Sequence, residues 1–136
     1  MRIIEIAQNK SIYRSGMCDA MALAIHEITK LPLGGWQGSY TNDYDEDETE
    51  LCHICVVLSF KGKKWMDVDG VHTGVPDNCY FNNSVEKIDL VPLSTEDVKY
   101  LYTMEGVSES DIEQAKKFIN NDPVLSRLVN NQDAPK

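Results

Sequence analysis

From Met17 to Ile25 the chain reads Met-Cys-Asp-Ala-Met-Ala-Leu-Ala-Ile, with Asp19 as its single charge. A helix made from this stretch is apolar on nearly every face, so it must be buried on several sides and the rest of the chain must pack around it. Ser15 is the expected N-cap, and the helix should run from about residue 17 to 29 because Pro32 disfavours helical backbone at Leu31. Cys18 falls in the first turn. At about 100° per residue Ala22 and Ile25 lie within about 40° of it, so the thiol sits on a packed stripe at the end where helix N–H groups are unpaired. Such an end favours negative charge and lowers a thiol below its free value of about 8.5, which makes Cys18 a candidate nucleophile. The competing reading is an inert core cysteine.

A chain of 136 residues with 42% hydrophobic content has room for one domain with its own core, here residues 1–136. Met1 to Gln8 is too short and too interrupted by charge for a secretory h-region, and no 18 consecutive residues are apolar. The expectation is a soluble cytoplasmic protein with no membrane partner. Its four cysteines, Cys18, Cys52, Cys55 and Cys79, are then expected as free thiols or ligands rather than bridges. The net charge of −9 argues against nucleic acid as a partner, since phosphate contacts need clustered Lys and Arg. Residues 43–50 hold six carboxylates and are expected as a solvated, mobile loop that offers a site for a basic protein partner. The Asp43, Asp45, Asp47 spacing does not make a calcium loop, which would need Gly at Glu48 and Glu at Ile54.

Residues 2–7 read as a short strand or a helical turn, and residues 33–40 as a short strand. Leu51 to Phe60 is a buried strand by its β-branched and apolar content; Lys61-Gly62-Lys63-Lys64 turns it, and Trp65 to Val71 returns antiparallel. Residues 79–81 and 86–92 read as further short strands. From Ser94 the period becomes helical, with Ser94/Asp97 and Ser108/Asp111 as capping pairs. Val98, Leu101 and Tyr102, then Ile112, Ala115, Phe118 and Ile119, are the inward positions. Asp122-Pro123 opens a last short helix, and the tail at 132–136 should fray.

A thiolate nucleophile needs a base, and the base needs a third group to orient it. His26 lies two turns along the helix and about 80° around from Cys18, too far to pair. His53 opens a buried strand, where a polar ring is unexpected without a task, and His72 is its possible substitute. A three-residue turn pairs Cys55 with Asp69 and Val57 with Asp67, which puts both aspartates on the face of His53; a two-residue turn turns them away. Metal binding is the competing chemistry, with Cys52-x-x-Cys55, His72 and Cys79 as four zinc ligands. A strand points Cys52 and Cys55 to opposite faces, so no metal is expected.

The order of Cys18 at the start of a buried helix, His53 opening a strand, and Asp67 or Asp69 on the next antiparallel strand resembles the papain-like cysteine hydrolases in the broad sense. These include bacterial cell-wall peptidases and papain-like toxins and deamidases. Gly16-x-Cys18-x-x-Met21-Ala22-x-Ala24-Ile25, with His53, Gly62 and Asp67-x-x-Gly70, also looks like small bacterial and phage proteins of that superfamily. The resemblance covers roughly residues 14–72. It implies an α+β papain-like core with the Cys18 helix packed on an antiparallel sheet; that core is expected over residues 1–93, and the C-terminal helices expected over 94–131 lie outside the resemblance. It further implies amide-bond hydrolysis of a protein or peptide without a cofactor: Cys18 attacks, His53 serves as base and then acid, and Asp67 orients His53, with Asp69 as second choice. Papain has a Gln six residues before its Cys, and here Ile12 stands there. The oxyanion hole then falls to Gln8, Tyr13 or the Cys18 N–H, with Trp36 beside the substrate. The alternative is a non-catalytic acidic interaction or inhibitor protein that keeps the fold and binds a basic surface through residues 43–50.

Overall fold

The computed structural model describes residues 13, 17–76, 85, 87–101 and 106–131. Its elements in chain order are α1 (Cys18–Thr29), β1 (Leu33–Thr41), β2 (Asp47–Ser59), β3 (Lys64–Asp67), β4 (Gly70–Thr73), β5 (Lys87–Leu93), α2 (Thr95–Lys99), α3 (Glu109–Asn121) and α4 (Pro123–Asn130). The strands form one antiparallel sheet in the order β4-β3-β2-β1-β5. This is an α+β architecture. Among the described residues no helix is long and apolar enough to cross a membrane.

The near absence of charge in α1 has the expected consequence: Ala20 to Ile25 are each at most 3% exposed. The helix packs on β2 and β3 on one side and on α2, α3 and α4 on the others. Its start differs from expectation. Met17, not Ser15, is the N-cap, and no side chain caps it. The first turn is served from inside, where the Asp19 carboxylate accepts the Ala20 N–H at 2.8 Å. At the other end Lys30 adopts the left-handed conformation (φ 64°) and Thr29 Oγ1 accepts the Leu31 N–H, so the chain has left the helix before Pro32.

Strand β2 is buried on both faces at its centre. Ile54 and Val56 join Met21, Ile25, Leu33 and Met66 in the larger cluster under α1, which continues to Ile112, Ile119 and Val129 of the C-terminal helices. Cys55 and Val57 face the other way, with Trp36, Trp65 and Leu90. The two backbones of β1 and β2 come close where Gly34 opposes Cys55. A Cβ on Gly34 would collide with Val57 Cγ2 and approach Val91 O to 3.2 Å. Gly34→Ala is therefore expected to cost about 1–3 kcal/mol, read as a lower urea midpoint with an unchanged slope.

Three segments depart from the sequence reading. The acidic stretch is not a mobile loop: Asp47 to Glu50 belong to β2, and only residues 42–46 turn. One side chain makes that turn, since Asn42 Oδ1 accepts the N–H groups of Tyr44 and Glu46. Trp65 to Val71 is two short strands, because the chain reverses at Val68-Asp69 and Gly70 takes φ 115°. The helix after Ser94 ends at Lys99, leaving Leu101 exposed. Its Ser94/Asp97 capping box is present, as are the Ser108 cap of α3 and the Asp122 cap of α4. The expected elements at residues 2–7 and 79–81, the inward position Tyr102 and the tail at 132–136 lie outside the described residues.

Candidate functional site

Pairing of β2 with β3 runs Val57 with Trp65 and Val56 with Met66, which places Asp67 one step further along, beside Cys55. This is two residues away from the expected pairing, because the turn spans residues 60–63 with Lys63 left-handed (φ 53°) and the ladder is irregular between Val57 and Ser59. A shift of two keeps every side chain on its face. Asp67 therefore lies diagonal to His53 and on the same side of the sheet. On its other edge β2 carries a bulge: Trp36 pairs with His53 and Gln37 with Leu51, leaving Cys52 unopposed. Bulges of this kind re-aim the side chains next to them.

Asp67 is the centre of a hydrogen-bonded cluster. Its Oδ2 lies 3.0 Å from His53 Nε2, and its Oδ1 lies 2.9 Å from His72 Nε2 and accepts the Asp69 N–H at 2.9 Å. An ionised carboxylate only accepts, so both rings donate their Nε2–H, and Nδ1 of His53 is left as the acceptor. Burial alone would raise the Asp67 carboxyl. The hydrogen bonds from His53, His72 and Asp69 outweigh it and hold the group below its ordinary range. Trp65 packs both rings: His72 stacks on it at 4.4 Å and 28°, and His53 meets it edge-on at 5.3 Å. The indole is itself pinned by Nε1–H donation to Gly74 O at 2.8 Å.

Cys18 meets β2 where β3 has ended. Val57 N–H goes to Pro32 O at 2.8 Å, on the β1 side, and strand N–H groups alternate in direction, so Ile54 N–H points towards β3. The ladder with β3 has no rung at Ile54, and that N–H acts instead on the Cys18 thiol. The thiol is not lowered, as its place in the first helical turn led one to expect. Burial and then the neighbouring Asp19 carboxylate push it up to about 11, against the opposing effect of the Ile54, Cys18 and Asp19 N–H groups. Cys18, Tyr13, His53, Cys55, Met66 and Asp67 line one tight cleft, too narrow as it stands for a water-sized molecule. The structure thus brings Cys18 and His53 to one cleft and joins His53 to Asp67. Among the described residues no hydrogen bond joins the thiol to the His53 ring.

The other expected site residues are distributed as follows. Tyr13 lines the cleft with its ring 5.3 Å from Phe118, and burial followed by the Asp111 charge raises its hydroxyl. Gln8 lies outside the described residues. Trp36 is 0% exposed, packs against Trp65 in the core of the far sheet face and does not line the cleft, so it is not placed to touch a substrate there. Asp69 is exposed and reaches the cluster through its backbone; Asp67 holds His53. His26 closes the end of α1 on Leu31 O at 2.6 Å, away from Cys18.

Cys52 is disulfide-bonded, contrary to the expectation of free thiols or ligands, whereas Cys18 and Cys55 are free. The fourth cysteine, Cys79, lies outside the described residues. The bond removes Cys52 from the zinc set weighed above, and His72 is engaged with Asp67. Sequence reasoning gave His72 no place beside Asp67. The signal was present in Asp69-Gly70, a strong hairpin dipeptide, which folds β4 back on β3 and pairs His72 with Trp65. No family model, curated protein or solved structure matches this chain.

Proposed function

We propose that the protein is a thiol-dependent hydrolase of amide bonds in a protein or peptide, built on a papain-like core. The observation that carries this reading is the His53 ring held through Nε2 by Asp67 on the wall of the cleft that contains Cys18. In this mechanism Cys18 Sγ attacks the carbonyl carbon and its proton passes to His53 Nδ1. The imidazolium, steadied by Asp67, then protonates the leaving amine. Water deprotonated by His53 attacks the thioester, releasing the acid and restoring the thiol. The Cys18 N–H at the unpaired end of α1 would serve the oxyanion, with the Tyr13 hydroxyl of the same cleft as a second candidate donor.

The thiol pushed up to about 11 favours a second reading, a protein that keeps this fold without catalysis and binds a basic surface through its acidic hairpin. An activated ester separates the two. The purified protein is expected to hydrolyse 4-nitrophenyl acetate with an initial burst and to carry an acetyl group on the Cys18 peptide during turnover. Acetylation confined to lysines, with no burst, would favour the binding protein.

A further inference from the structure

We infer that His72 is a positioning residue that fixes the Asp67 carboxylate so that Oδ2 stays aimed at His53. The inference rests on the reading of Asp67 as the group that orients the base. Terminal carboxylate torsions are broad and roughly two-fold, so nothing intrinsic to Asp67 selects the rotation that serves His53. Two donors select it here. His72 Nε2–H and Asp69 N–H both bind Oδ1, at 2.9 Å each, so that oxygen already accepts two donors and Oδ2 is left for His53. Turning the carboxylate would break both bonds.

His72 is in turn held in place. It lies on β4 directly opposite Trp65, its ring stacks on the indole, and the indole is tied by Nε1–H to Gly74 O. A continuous chain of contacts therefore runs from Gly74 through Trp65 and His72 to Asp67 and His53. None of it includes Cys18. The His72 side chain is 36% exposed, against 16% for Asp67 and for His53. Its ring thus closes the cluster on the solvent side, and exchange of His72 removes a clamp without opening the core.

The test reads the His53 ring in the full-length protein without any substrate. In cold ¹H–¹⁵N spectra the Nε2–H of His53, bonded to Asp67, is expected as a slowly exchanging signal with its ring in one tautomer. His72→Phe keeps an aromatic plate on Trp65 and removes the donor; it is expected to lose the His53 signal and to mix the tautomers. His72→Gln restores an N–H donor of similar reach and is expected to restore the signal. An unchanged His53 signal in His72→Phe would overturn the inference. So would loss of the signal in both variants alongside equal falls in thermal midpoint, since that marks general damage to the fold. Cys18→Ala leaves these ring signals in place, so a failure of the hydrolase reading is seen separately from a failure of this one.

Discussion

Cys18→Ala is expected to abolish turnover, by about 10⁶-fold where the uncatalysed background permits the measurement, because among the described residues of the cleft no second group replaces the proposed nucleophile. The other free thiol there, Cys55, is 0% exposed, and burial followed by the Asp67 and Cys18 charges raises it further than Cys18. The same substitution is expected to disturb the fold little. Cys18 is only half-buried, and Ala suits a helix as well as any residue. Folded, inactive protein is therefore the expected outcome, checked by turnover and by the thermal midpoint of the same sample. A Cys18→Ala protein with full activity would end the nucleophile assignment.

Asp67→Asn is expected to cost about 10⁴-fold in kcat while leaving the shape of the cleft intact, a loss smaller than that of the nucleophile. The reason lies in the two ends of the carboxylate. Oδ1 receives two donors, from His72 and from the Asp69 backbone, so the amide carbonyl of Asn must stay there. The amide NH₂ then takes the place of Oδ2 and faces His53 Nε2 as a donor. His53 can meet it only as an acceptor, which moves its proton to Nδ1, the atom that receives the thiol proton in the proposed mechanism. The substitution thus reverses the tautomer rather than removing a contact. Asp67→Ala frees the ring from that constraint and is expected to lose less activity than Asn, and turnover of the two variants side by side checks the order. Equal losses would mean that Asp67 acts only by its charge.

The fold was legible where composition left one option. A nine-residue run with a single charge had to become a helix buried on several sides, and α1 is that helix. The apolar run from Leu51 had to become an inner strand, and the caps at Ser94, Ser108 and Asp122 are where short polar side chains precede periodic apolar ones. The acidic segment misled because charge density argues about solvation and says little about backbone. Five of its six carboxylates stay in solvent, on a hairpin whose turn is closed by Asn42 and where Tyr40 donates to Glu48 across the strands, while Glu50 has one oxygen buried.

Within the site, neither register nor parity was legible. The turn at residues 60–63 is even and pairs Ser59 with Lys64, which alone would send Asp67 to the other face; the irregularity at Leu58 restores Asp67 to the face of His53. The length of the turn depends on the left-handed Lys63, which no composition rule singles out. The thiol misled for an energetic reason. A helix N-terminus favours its charged form, but Asp19 brings a carboxylate into the same turn and burial on several sides disfavours charge, and together these win. The very packing that made α1 easy to find is what holds Cys18 neutral at rest.

The central claim is that His53 takes the proton from Cys18, and the pH profile of Cys18 alkylation tests it most directly. A thiol that titrates by itself near 11 reacts faster with every step in pH up to that value. A thiol that passes its proton to His53 reacts already near neutrality, and its rate levels off there. With limiting iodoacetamide and peptide mapping, the wild-type protein is expected to show a neutral plateau at Cys18, ahead of Cys55, and His53→Ala is expected to lose the plateau and follow the lone-thiol curve. Superimposable profiles for the two proteins, both rising towards pH 11, would contradict the account.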